Sequence, residues 1–265
     1  MKEWIILHTH SEFSQQLIKV LRDKVVMTID VKHLVANTGI TARYHQDEQH
    51  AWIEGDQVVE SFRGKIIYQE VFYHFDQALG VYYPKDRAYV RHSWQAYLLG
   101  LFSHAHRVIN PIDPRQLSIS QYQFPRLNQL AKDIGMKVPY YTIGSSISGG
   151  LNYDGLWVSP SAKQLGATVL SVEDINSDWL IVRFVRYDPS FIVTWPELPD
   201  KLTVQLCHMA RLLGIHVGEV YFKYHTDWVF YGMYPHLRSS GASPDVFIEI
   251  AECLRDIGKE EISYG

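Results

Sequence analysis

Residues 107–144 read RVINPIDPRQLSISQYQFPRLNQLAKDIGMKVPYYTIG, and how they are read decides the fold. Val108 and Ile109 close an apolar run. Asn110-Pro111 and Asp113-Pro114 break it, because proline lacks a backbone donor and restricts the residue before it. Leu127, Leu130, Ala131 and Ile134 then recur at helical spacing until Gly135, and Val138-Pro139 opens an extended segment. The stretch is therefore a strand end, a loop, a helix and a strand, in that order.

Upstream, 4–7 is a short apolar run, 14–21 carries Leu17, Ile18, Val20 and Leu21 at helical spacing, and 25–29 is apolar again. Together they predict a βαβ unit with parallel strands and a right-handed crossover. Residues 40–59 are polar and rich in histidine, with a hairpin expected to turn at Gly55-Asp56. A strand over 65–73 and a helix over 89–102, with Trp94, Tyr97, Leu98, Leu101 and Phe102 inward, complete the first half.

Downstream, SSISGG at 145–150 has the composition of a loop or hinge. Short strands are expected at 156–158, 168–172, 179–185 and 191–195. A helix over 202–213 puts Leu202, Leu206, Met209, Ala210 and Leu213 on one face. Strands at 217–224 and 228–231 flank the turn His225-Thr226-Asp227, and a helix over 245–257 follows Ser243-Pro244.

A chain of 265 residues can bury a substantial core as one large or two small domains. A net charge of −4 gives no strong field toward nucleic acid or an anionic membrane. The apolar run in MKEWIILHTH is too short for a signal-peptide core or a membrane span, so the expectation is a cytoplasmic protein. Cys207 and Cys253 fall in helical patterns, where buried free thiols are expected.

The pattern Asn110-Pro111, Leu127, Gln129-Leu130-Ala131, Gly135, Val138-Pro139 resembles the junction between the first and second domains of ATP-grasp ligases, in particular the branch that crosslinks ribosomal peptides (the graspetide type). Thr9-His10-Ser11-Glu12 after the first strand, Ile29-Asp30 closing the second, and Leu212, Gly214-Ile215 and Gly218 agree with it. The likeness covers most of 1–236. It implies an α/β protein with a pre-ATP-grasp βαβ domain at 1–110, followed by a reduced ATP-grasp-like α+β domain at 111–265 that includes the C-terminal helix.

Such ligases hold a nucleotide triphosphate with lysines and magnesium with carboxylate and amide oxygens. The resemblance locates each group here. The phosphate-side lysine falls beside Phe124, where Arg126 is the nearest cation, and the Lys-Pro of the next sheet becomes Ser159-Pro160, with Lys163 beyond. The Gln-Glu adenine hinge becomes Val182-Arg183. The three metal ligands become Tyr221, Gly232 and Tyr234, with Glu219 and Asp227 the acids nearby. The triphosphate lid is shortened to 161–178.

The resemblance therefore implies a scaffold kept without the chemistry: no cofactor, no metal, and a cleft for a peptide or for a catalytic ATP-grasp partner, with a homo-oligomer compatible. The alternative is a divergent ATP-dependent carboxylate ligase using ATP and Mg²⁺ through Arg126, Lys163 and Arg183, with Glu219 and Asp227. A further alternative is a metal phosphoesterase built on the pair His8 and His10.

Overall fold

The computed structural model describes residues 3–32, 42–45, 48–54, 59–70, 79–110, 124–139, 141–143, 151–153, 156–158, 179–187, 190–224, 226–237 and 243–257. The expected strand at 168–172, the loop at 145–150, the turn at Gly55-Asp56, Ser159-Pro160, Lys163 and the shortened lid lie outside them. The chain divides into two compact units, 1–117 with 241–265, and 118–240.

The first unit is built on a parallel sheet. Strand β1 (Trp4–His8) is buried along its whole length, as expected of a parallel strand covered on both faces. Helix α1 (Glu12–Leu21) leads to β2 (Val25–Asp30), which pairs parallel with β1. A three-stranded antiparallel meander follows, β3 (Ala42–His45), β4 (Glu48–Glu54) and β5 (Val59–Ser61). Strand β6 (Ile66–Gln69) and, after helix α2 (Arg87–Phe102), β7 (Arg107–Ile109) extend the sheet to the order β2-β1-β6-β7.

Side chains alternate across this sheet. Ile5, Leu7, Ile29 and Ile67 share a cluster with Leu98, Leu101 and Phe102 of α2. On the other face Tyr68 meets Phe13 of α1 with ring centres 5.6 Å apart. Phe13 in turn meets Phe247, 5.9 Å away, in α5 (Pro244–Ile257). The sequence grouped this last helix with the second domain; its buried face, with Phe247, Ile250 and Leu254, belongs to the first unit.

In the second unit, α3 (Phe124–Asp133) stops where the sequence places its end. Gly135 adopts φ +82°, and the Met136 N–H donates to the Ala131 carbonyl at 2.8 Å, the bond that closes a left-handed helix end. Strands β8 (Tyr141–Ile143), β9 (Leu151–Tyr153) and β10 (Leu156–Val158) form one antiparallel sheet. Strands β11 (Trp179–Arg186), β12 (Ile192–Trp195), β13 (Val217–Tyr224) and β14 (Trp228–Tyr234) form a second, in the order β12-β11-β13-β14, with helix α4 (Asp200–Leu212) between β12 and β13 in the chain. Val182, Phe184, Val220, Phe222 and Phe230 of this sheet form one core with Leu127 and Ala131 of α3 and Leu202, Leu206 and Met209 of α4. Among the described residues no helix is long and apolar enough to cross a membrane.

Candidate functional site

Because Val182, Phe184, Val220 and Phe222 face the core, their neighbours along each strand face the other way. Register then lines up one row across all four strands. Arg183 is opposite Trp195 on one side and Glu219 on the other, and Glu219 is opposite Tyr234. Tyr221, two residues along from Glu219, is opposite Ile181 and Gly232. The three positions matched to metal ligands, Tyr221, Gly232 and Tyr234, thus come together on adjacent strands with Arg183 and Glu219 beside them.

The row is buried. Glu219 is 1% exposed, Tyr221 1%, Arg183 6% and Tyr234 7%. Arg183 Nε stands 3.1 Å from Glu219 Oε1, and the Tyr221 hydroxyl donates to Glu219 Oε2 at 3.0 Å. The Tyr221 and Tyr234 rings meet edge to face at 5.4 Å. Each carboxylate oxygen of Glu219 therefore already faces a donor. This is the state a buried charge requires, since ionised groups are costly in the interior unless paired.

A magnesium ion with a nucleotide needs several hard oxygens at near-octahedral positions. Among the described residues this face offers one carboxylate, committed to a guanidinium and a phenol, and two phenol rings. The donor set does not fit the ion, and no chemical step is derived through it.

Arg126 and Asp227 lie apart from the row. Arg126 is exposed on α3. Asp227 sits at the exposed turn between β13 and β14, where Lys137 Nζ approaches its Oδ2 at 2.8 Å and the Trp228 N–H donates to Oδ1 at 2.8 Å. The lysine, and then the amide, hold its carboxyl below the usual carboxylate range. Lys163 lies outside the described residues.

A second polar cluster occupies the carboxyl ends of β1, β2 and β6 in the first unit, the place where open parallel sheets gather functional groups. Glu70 accepts from the Thr9 N–H and hydroxyl, both at 2.9 Å, from the Ser11 hydroxyl at 2.5 Å and from Tyr68 at 3.1 Å. Ser11 also caps α1 by accepting from the Ser14 N–H at 3.0 Å. His10, at φ +61°, places its Nε2 3.1 Å from Asp30 Oδ2, and its backbone N–H donates to His8 Nδ1 at 3.3 Å. Burial, and then the neighbouring His10, lower the pKa of His8 against the opposing pull of Glu70 and Asp30.

This cluster is a brace. Its carboxylates are spent on the loop between β1 and α1, and among the described residues no group of three or more His, Cys, Asp or Glu is placed to hold a metal ion. The phosphoesterase alternative gains nothing from it. Glu70 was missed in the sequence, although an acid one residue past the buried run Ile66–Gln69 marks a strand end. Cys207 and Cys253 are free thiols.

No family model matches the chain, and no curated protein matches it. Solved structures do. The ligase PsnB, complexed with a precursor peptide and AMPPNP, superposes with a TM-score of 0.63 at 13% identity, covering 98% of this chain and 99% of that one. A RiPP-associated ATP-grasp ligase of Chryseobacterium gregarium, in complex with ADP and a leader and core peptide, gives 0.62 at 11%, with 97% of each chain covered. The macrocyclase MdnC of Microcystis aeruginosa, bound with its precursor peptide, gives 0.62 at 12%, over 97% of this chain and 99% of that one. At these identities the likeness is one of fold. Over nearly the whole length of both chains, this protein has the ATP-grasp fold in the form taken by the RiPP-modifying, graspetide-type ligases.

Proposed function

We propose that this chain is a non-catalytic member of a peptide-modification system, which uses the ATP-grasp fold to bind a peptide or a catalytic ATP-grasp partner and does not turn over ATP. One observation carries the reading: at the positions matched to the metal ligands stand Tyr221, Gly232 and Tyr234, and the carboxylate beside them, Glu219, is tied to Arg183 and Tyr221. The peptides bound in the similar structures support the peptide half of the proposal.

The competing reading is an active ATP-dependent ligase, favoured by the ADP, AMPPNP and Mg in related structures. A ligand present at about 100 times its dissociation constant adds ~2.7 kcal/mol to stability. Thermal unfolding should therefore be unmoved by millimolar Mg-ATP if the proposal holds. A saturable upward shift, abolished when magnesium is chelated, overturns it. A cytoplasmic location and a homo-oligomeric state are part of the same proposal, tested by fractionation and by light scattering.

A further inference from the structure

The second unit contains a buried polar side chain that nothing satisfies. Asn128 on α3 is 1% exposed, and neither its Oδ1 nor its Nδ2 has a hydrogen-bond partner. A carboxamide can make up to four hydrogen bonds, and an unmade buried one is expensive. The other buried carboxamide on a helix, Gln95, has an interaction of its own although its Oε1 accepts no hydrogen bond, whereas in Asn128 both polar atoms are unmet.

Asn128 lines a groove of about 540 Å³ whose walls also include Lys132, Met136, Lys137, Val138 and Val229. The lining combines apolar side chains with two exposed lysines. Lys132 lies one helical turn beyond Asn128, on the same side of α3, and has no ion-pair partner among the described residues. Lys137 already takes a carboxylate, that of Asp227, at 2.8 Å. On the same side Asp133 accepts from Gln129 at 2.7 Å, so this acid is occupied.

The geometry points to a peptide-docking groove: an extended segment of another protein would offer one main-chain N–H and C=O to Asn128, an acidic side chain to Lys132, and apolar side chains to Met136, Val138 and Val229. The carboxamide sets the first requirement, since it needs a donor and an acceptor side by side, which the N–H and C=O of one residue in an extended chain present. The unpaired ammonium sets the second. The inference rests on the peptide-binding half of the function proposed above and is independent of its nucleotide half.

The probe is the blocked pentapeptide acetyl-Asp-Val-Asp-Val-Asp-amide, titrated into the full chain and followed by nitrogen–proton correlation spectra. The Asn128 side-chain amide is assigned as the pair of peaks missing from Asn128→Leu. With the wild type, those peaks move saturably. Asn128→Leu and Lys132→Glu each weaken binding by about tenfold or more, the loss expected for one buried or charge-assisted hydrogen bond. Asn128→Leu also unfolds at a higher temperature than the wild type, because it removes an unsatisfied group and fills its place with carbon.

A variant that is destabilised makes Asn128 a structural residue and overturns the proposal. So does equal binding by the same peptide with lysine in place of aspartate, or movement of the Asn128 peaks by adenosine, whose base also matches a carboxamide. If the peptide binds while those peaks stay still, the groove is the wrong place and peptide binding itself survives; if it does not bind at all, the groove fails.

Discussion

The two units each bury a glutamate, and they keep it by opposite means. Glu70, in the first, is 4% exposed and is held by neutral donors: one backbone N–H and three hydroxyls. Glu219, in the second, is 1% exposed and faces a guanidinium. Neutral donors can be lost one at a time, each leaving a single unmet group, whereas a buried ion pair fails as a whole when either member goes. The first arrangement suits a loop brace. The second is rigid, and it fills the face of the sheet that carries Tyr221, Gly232 and Tyr234.

The comparison breaks hardest at Arg183. Arg183→Met takes the guanidinium away from a carboxylate buried in the interior, at a cost of ~3–5 kcal/mol. Adding Glu219→Leu should recover most of that loss, leaving about 1 kcal/mol for the hydrogen bond that Tyr221 no longer makes to Glu219. Urea unfolding of the single and double variants checks both. If the single variant unfolds at the wild-type urea concentration, the pair is not the buried neutralising contact described here.

Next in size is Gly218→Ala, which tests how tightly the strands that carry this row are packed, here on their core face. A Cβ there would lie 2.3 Å from the Tyr234 carbonyl oxygen and 3.1 Å from the Phe184 ring. The obstacle is backbone, so β13 and β14 must part, at a cost of about 2–3 kcal/mol. Glu70→Gln in the other unit should be milder. The amide keeps one acceptor and puts an N–H against hydroxyls that can turn to receive it, so the expected loss is about 1–2 kcal/mol by thermal unfolding. A loss larger than that of Arg183→Met would reverse the ranking of the two carboxylates.

Much of this framework was legible in the chain, and the reason is periodicity. The βαβ start, the helix ending at Gly135 and the hairpin of β13 and β14 follow from side-chain repeats of 3.6 and 2. Alternation also puts Glu219 and Tyr221 on one face without any structure. What bring Gly232 opposite Tyr221 are a register irregularity between Tyr221 and Phe222 and the pairing itself, neither of which is written in one strand alone. The partner of α5 was illegible for a similar reason. An amphipathic helix states which face it buries, and not against what. Asn128 was hidden because a polar residue in a helical pattern reads as solvated; its burial comes from the elements packed around α3.

The smallest effect expected separates the two units by pH. Burial lowers the pKa of His8 from its ordinary value of 6.5, so the folded chain takes up this proton less readily than the unfolded one does. Above that value both states hold a neutral ring and stability is at its full level. As pH falls through it, the unfolded state binds the proton first and stability declines, until the folded-state pKa is passed. His10 stands nearby with Asp30 as its partner, so His8→Gln, which keeps an acceptor near the His10 N–H, isolates the buried ring. The midpoint of urea unfolding should fall between about pH 7 and 5 in the wild type and fall less in His8→Gln. An equal decline in both would assign the pH response to other groups and leave the brace around Glu70 insensitive to the charge of its neighbour.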